Sequence, residues 1–364
     1  MKETVLKSAH EALGARLVPF GGWAMPVQYR PILDEAKTVR HEVGMFDLGH
    51  MGRVAVTGSD AEAFLQAVQT NDAAKIQPGR IRYALILDED GRTQDDILVY
   101  REPDDSGFFV VVNASNTERD LEIMQRTASQ FGDVNVTDLT PELGMVALQG
   151  PNSVEVMKQI TDVDVDGMKY YGWDRGEVCG VRAAISRTGY TGEDGFEVYL
   201  PQAATPDLWN TLLEVGASQG LTACGLGSRD ILRLEAGMAL YGHEIDETTT
   251  PLDAGLDWAV KFTHDFTGRE ALERIRANGG PERELVGLKT DSKRVPRQGY
   301  TLWQGDDELG IVCSGGMSPT LSTNIATAYV KRGSVAIGDE IEFAIRDKRE
   351  PATVAALPFY KRAK

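Results

Sequence analysis

The chain has 364 residues, 42% of them apolar, enough to bury two or three hydrophobic cores. Its 38 Lys and Arg stand against 55 Asp and Glu, a net charge of -17, which opposes non-specific binding to nucleic acid or an anionic membrane, so any anionic ligand needs a local basic pocket. Cys179, Cys224 and Cys313 are far apart, with no CxxC and no Cys/His cluster, and are expected as buried thiols rather than zinc ligands or disulfide partners.

The amino-terminal MKETVLKSAHEALGARLVPF carries Glu3 and Glu11 and no long apolar run, unlike a secretory signal or a transit peptide. No stretch approaches the length of a membrane span, and the expected location is cytoplasmic. Residues 54–57, then Gly58-Ser59 and AEAFLQAV, read as strand, glycine turn and amphipathic helix. Residues 146–149, then Gly150-Pro151 and SVEVMKQI, read the same way. Ser59 with Glu62 and Ser115 with Glu118 predict capping boxes, and Pro151 suits a first helical turn. Each copy then meets an acidic glycine turn, DEDG at 88–91 and GEDG at 192–195, and a strand, FFVVV after Gly107 and FEVYL after Gly195. This order predicts a tandem pair of α+β subdomains whose small antiparallel sheets are covered on one side. After FTGREAL (266–272) the helical text ends in the Gly/Pro/charge-rich ANGGPERE. ELVGLKT, GYTLWQG, LGIVCSGG, NIATAYV, EIEFAI and ATVAAL then read as the short strands of a small β-barrel or sandwich beginning near Gly279.

Two acids stand out on strands. In Asp95-Asp96-Ile97-Leu98-Val99-Tyr100, alternation puts Asp96 on one face with Leu98 and Tyr100, and Asp95 on the other. The run returns in altered form at 195–200, where Glu197 shares a face with Tyr199. Each half thus offers one acid beside apolar or aromatic neighbours, either a turn residue at a strand start or a partly desolvated group with chemistry to perform.

Longer phrases are more specific: LGARLVPFGGWAMPVQY, VGMFDLGHMG, SRTGYTGEDGFEVYL, GLGSRDILRLEAGMALYGHEIDETTTPLDAGLDWAVKF and GMSPTLSTNIA. With these the chain resembles the aminomethyltransferase (T-protein) family of the glycine cleavage system from about residue 4 to the last strand. The resemblance implies an α+β fold in which residues 1–278 form a folate-binding core of two interleaved α+β parts, the insert at about 53–138. Residues 279–364 would form a carboxy-terminal antiparallel β-barrel. It also implies tetrahydrofolate as co-substrate, the lipoylated H-protein as partner, no metal or redox cofactor, and no nucleic-acid or membrane partner. The implied reaction passes the one-carbon unit of an S-aminomethyl dihydrolipoyl arm to tetrahydrofolate, giving 5,10-methylenetetrahydrofolate, ammonia and the reduced arm. Expulsion of the thiol leaves an iminium-like carbon for a folate nitrogen to attack, so positioning, one proton and exclusion of water are the protein's tasks.

By the same resemblance Asp96 is the catalytic carboxylate, and Asp95, on the other face, is structural. Glu197 would receive the pterin's donor edge in a two-pronged contact, and Arg229 would donate to a folate oxygen or balance Glu197. Arg229 could instead form a structural ion pair with Asp230 or Glu235. Tyr83, Leu98, Asn113, Tyr170 and Tyr190 would line the folate pocket, the aromatic faces for stacking and Asn113 for a polar contact. His50, Asp47 and His243 come with no nucleophile motif or metal spacing, and the histidines read as satisfied structural groups. GLGSRD lacks the third glycine of a dinucleotide fingerprint. Gly49 stands where the family usually has serine and His243 where glutamine is common, and the end at 358–362 argues against a tail contact to folate. Two alternatives share these residues: a tetrahydrofolate-dependent demethylase of a small methylated donor, and a non-catalytic folate-binding regulator. Lys289, Lys293, Arg294 and Arg297 form a basic run suited to an acidic carrier protein.

Overall fold

The computed structural model describes residues 1–363. Two sheets dominate residues 43–223. The first has the spatial order Ile81–Leu87, Thr93–Arg101, Phe108–Val112, Gly52–Thr57, Asn135–Asp138. The second runs Trp173–Val178, Val181–Ser186, Gly195–Pro201, Leu143–Gln149, Val43–Asp47, Leu221–Ala223. All neighbours are antiparallel except Leu221–Ala223, which lies parallel to Val43–Asp47. Strand for strand, the first five positions of the two sheets correspond, as a duplication requires. The copies interleave, because Val43–Asp47 of the second sheet precedes every strand of the first.

That order corrects one reading of the repeat. The counterpart of Thr93–Arg101 is Val181–Ser186, and Gly195–Pro201 corresponds instead to Phe108–Val112. The likeness between 95–100 and 195–200 reflects two strands with similar surroundings rather than repeat register.

Alternation explains those surroundings. Val146, Leu148, Phe196, Val198 and Leu200 pack on Leu208, Trp209 and Leu212 of helix Thr205–Val215. Val54, Val56, Ile97, Val99 and Val110 pack on Phe64 and Leu65 of helix Ala61–Val68 and Met124 of helix Thr117–Ala128. The opposite faces, Met145, Ala147 and Tyr199 from one sheet and Ile81, Tyr100, Phe109 and Val111 from the other, pack on each other. Each sheet is therefore covered on both faces, by helices outside and by its partner sheet inside. The expected one-sided cover missed the second layer.

Strands between Arg283 and Ala355 close a six-stranded antiparallel barrel around Leu288, Leu302, Val312, Phe343 and Val354. Helix Leu226–Glu235 is clamped between barrel and sheets. Arg40 Nη2 donates to Glu235 Oε2 at 2.6 Å, and Glu235 also accepts from Ser318 and Thr320. Arg233 donates to Glu244 at 2.8 Å, which accepts in turn from Thr327. Buried charges compensated this fully hold the helix in one place, because removing either partner leaves the other unpaired.

Several local expectations are not met. Helices Ala61–Val68 and Thr117–Ala128 begin after Asp60 and Asn116 and have no side-chain cap. Ser59 bonds Asp133 instead, and Glu62 pairs with Arg101 at 2.8 Å. Ser115 bonds Asn116, and Glu118 pairs with Lys2 at 3.0 Å. Pro151 precedes helix Ser153–Met157 rather than lying in its first turn. Cys224 and Cys313 are buried, but Cys179 is exposed. It is the first of two hairpin residues, Cys179 and Gly180, with φ of 51° and 75°, the left-handed pair that a two-residue turn demands between twisted strands. No helix among the described residues is long and apolar enough to cross a membrane.

Candidate functional site

Where the two sheets face each other, a hydroxyl chain joins them. Tyr100 and Tyr199 hydroxyls meet at 2.8 Å, and Tyr199 donates to Glu197 Oε2 at 3.1 Å. Thr188 donates to the same Oε2 at 2.8 Å and is itself bonded to Ser186 at 2.6 Å. Both lone pairs of Oε2 are thereby taken, and no hydrogen bond of the described residues uses Oε1. Glu197 thus leaves one carboxylate oxygen, Oε1, without a partner among the described residues.

Asp96 lies on the inter-sheet face of its strand with Leu98, as alternation requires. Asn113, at the end of Phe108–Val112, donates through Nδ2 to Asp96 Oδ1 at 2.8 Å, and the Tyr83 hydroxyl lies against the same carboxyl. Burial, and then the neighbouring charge of Asp95, push the Asp96 carboxyl up to about 7 against these two donors. Burial and the Asp96 charge keep the Tyr83 hydroxyl protonated, well above its ordinary range. Asp95 faces the helical layer, fully buried, and accepts from the Asn113 and Asn116 amides. Asn113 therefore spends both amide hydrogens on the two aspartates.

Arg229 occupies the first turn of the clamped helix, its guanidinium 4.9 Å from the centre of the Tyr190 ring. It forms no ion pair among the described residues: Asp230 pairs with Arg233 and Glu235 with Arg40. The structural ion pair considered for Arg229 is thereby excluded. Its Nη1 is buried without a hydrogen-bond partner, and Glu197, Tyr190 and Tyr199 provide the field around it. Tyr190 is anchored through its hydroxyl on the Ala239 carbonyl and senses Asp96. Tyr170, 38% exposed, packs against Tyr171, with ring centres 5.0 Å apart. Tyr83, Asn113 and Tyr190 are thus linked by contact or field to Asp96, and Arg229 and Tyr170 to Glu197, while Leu98 joins the cluster between the sheets.

Three neighbours were not singled out from sequence. Trp258 stacks on Tyr83 at 5.2 Å and 26° while remaining 54% exposed. Its position in GLDWAVKF was the available signal. Tyr171 packs beside Tyr170. Arg362 lies 5.1 Å from the Tyr170 ring centre and 3.3 Å from Asp194, so the carboxy-terminal segment packs on Tyr170.

His243 is satisfied, its Nδ1 facing the Cys313 carbonyl at 3.1 Å and Ser314 Oγ at 3.2 Å. His50 is not, for its buried Nδ1 has no partner, and burial holds it near 4 and neutral. Asp47 is structural. Burial would raise it, but His10, Thr4 and Gly49 donate to it at 2.8, 2.6 and 2.7 Å and hold it below the usual range. A Cβ at position 49 would stand 3.0 Å from Asp47 Oδ1, so glycine suits this tight turn.

The family model "GCVT N-terminal domain" matches residues 6–264, and "Glycine cleavage T-protein C-terminal barrel domain" matches residues 283–361. An aminomethyltransferase of Geobacillus thermodenitrificans is 44% identical over 100% of both chains. One of Herpetosiphon aurantiacus is 47% identical over 99% of each. Among solved structures, the glycine cleavage system aminomethyltransferase T of Bartonella henselae superposes with a TM-score of 0.92 at 34% identity, covering 99% of this chain and 98% of that one.

Proposed function

The chain belongs to the glycine cleavage T-protein family and is an aminomethyltransferase of the glycine cleavage system, and from that premise we propose that the chamber between the two sheets takes tetrahydrofolate as co-substrate, with Asp96 handling a proton at the reacting nitrogen. The one-carbon donor is the S-aminomethyl arm of lipoylated H-protein. When bound, tetrahydrofolate supplies the two nitrogens that capture the carbon. Each gives up one proton, so that ammonia and a free thiol can leave.

The observation that carries this reading is the state of Asp96, a carboxyl on the inter-sheet face, pushed up to about 7 by burial and Asp95. An acid poised near the working pH can both take and return a proton. Tyr83 and Asn113 hold its oxygens in place. The fit to folate rests on two unpaired groups, the buried Nη1 of Arg229 and Oε1 of Glu197. A pterin offers an oxygen to the first and an amino group to the second. Tyr83, Tyr170 and Tyr190, with Leu98, provide faces for the flat ring systems and keep out water that would hydrolyse the transferring carbon.

The test is Asp96→Asn, assayed with aminomethylated H-protein by release of ammonia and formation of methylenetetrahydrofolate. Turnover should fall by about 10²-fold or more, the usual loss when a positioned acid/base is removed, while folate binding persists. Turnover close to the parent's would sink the assignment. Small methylated amines offered in place of H-protein should not be demethylated.

A further inference from the structure

On the helical side of Asp95 lies a second carboxyl with no role in the chemistry so far. Asp120, in helix Thr117–Ala128, is 0% exposed, and both its side-chain oxygens are buried with no hydrogen-bond donor in reach. A buried carboxylate with no hydrogen-bond donor and the Asp95 charge against it is too costly to stay ionised even with the Arg119 charge nearby, so Asp120 carries its proton. A protonated carboxyl is a donor, and it sits against Asp95.

Asp95 has room for that proton. Its Oδ1 accepts Asn113 Nδ2 at 2.9 Å and Asn116 Nδ2 at 2.6 Å, and its Oδ2 accepts the Asn113 backbone N–H at 2.9 Å. Two oxygens offer four acceptor sites, and these bonds use three. The Asp120 O–H fills the fourth. Asp95 is thereby held in place, and Asn113, held by Asp95, presents its other amide hydrogen to Asp96 Oδ1 at 2.8 Å. Among the described residues these acids do not converge as a metal-ligand set.

We propose that Asp120 is a positioning residue for the transfer reaction, acting through Asp95 and Asn113 to fix the orientation and charge state of Asp96. This rests on the reading of Asp96 as the proton-handling group. The direction follows from electrostatics. The charge of Asp95, fixed close by, disfavours a second charge on Asp96, whose proton is retained to higher pH. Without the Asp120 donor, Asp95 loses one of its four partners and is no longer fixed beside Asp96, so the like-charge effect on Asp96 weakens. The other groups facing the cluster are Arg119, which sits beside Asp120 and opposes its proton, Tyr241, which senses Asp95, and Tyr83, Tyr171 and Tyr190 on the Asp96 side. None of these supplies Asp95 with the missing donor.

The experiment follows the Asp96 carboxyl itself, by carbon-13 NMR titration of aspartate-labelled protein with Asp96→Asn as the assignment standard. Asp120→Leu removes the donor and leaves no room for a replacing water, and should move the Asp96 midpoint down by about one pH unit, the lower end of a like-charge effect. Asp120→Asn keeps an N–H toward Asp95 and should leave the midpoint with the parent. Equal midpoints in parent and Leu variant, or equal shifts in both variants, would overturn the proposal. If the Leu variant does not fold, infrared difference spectra of parent minus Asp120→Asn at pH 8 decide it. A protonated carboxyl C=O band present in the parent and lost in the variant supports the proposal, and its absence refutes it. Full turnover in Asp96→Asn would remove the catalytic reading yet leave this coupling measurable, so the two failures are distinguishable.

Discussion

Replacing Asp96 with Asn should lower turnover by about 10²-fold or more and at the same time stabilise the protein at alkaline pH. The carboxyl is raised in the folded chain from 3.8 to about 7, whereas the unfolded chain ionises near 3.8. Between those values the native state holds the extra proton, so stability falls as pH rises through the window and the penalty is complete above about 7. Roughly three pH units at 1.36 kcal/mol each give a penalty of about 4 kcal/mol. Asparagine cannot ionise and escapes it, although it changes the contacts with Tyr83 and Asn113 by about 1 kcal/mol each. Those contact terms are the same at every pH, so the pH dependence isolates the ionisation. At pH 6 about 3 kcal/mol of the penalty is already present, and at pH 8.5 nearly all of it. Urea denaturation of parent and variant at these two pH values should therefore show the variant's advantage widening by about 1.4 kcal/mol. An advantage that stays constant across the range would refute the raised carboxyl and, with it, the argument that Asp96 is poised to exchange a proton. The outcome expected is a trade of stability for function at one half-buried acid.

Glu197→Gln and Arg229→Ala should both weaken tetrahydrofolate binding, by about tenfold or more for a lost charge-assisted hydrogen bond, before they alter the chemical step. Titration calorimetry that finds parent affinity in both would move the pterin elsewhere. Lys293, Arg294 and Arg297 are exposed, and with Lys289 they form no ion pair among the described residues. Reversing Lys293 and Arg294 to Glu should raise the apparent KM for H-protein several-fold at low salt, with the difference shrinking as ionic strength rises. Superimposable curves for parent and variant at two salt concentrations would remove this patch from docking.

How far the sequence carries depends on whether a residue's position follows from periodicity or from the packing of distant segments. Alternation separates Asp96 from Asp95, and the structure turns these toward the partner sheet and the helices respectively. The same rule puts Tyr100 and Tyr199 on inner faces, but that their hydroxyls meet depends on two sheets packing face to face, which neither strand encodes alone. Trp258 belongs to a single helical turn, Asp257–Ala259, with no period to read, and it reaches Tyr83 because its loop packs on Leu85 and Leu87. The capping boxes show the converse. Ser59 and Ser115 have the right local spacing, yet the Ser59 hydroxyl goes to distant Asp133 and that of Ser115 to its neighbour Asn116, so neither caps its helix. Asp120 is the more instructive omission, because its position was readable. It stands four residues before Met124 and one before Leu121, on the apolar side of a helix whose opposite face carries Glu118, Arg119 and Glu122. An acid at such a position must be paired, protonated or mistaken for surface. Helical spacing toward Met124 excludes the surface, and no basic residue lies on the same face. Protonation is what remains, and a buried proton needs an acceptor, which the strand that also carries Asp96 supplies in Asp95.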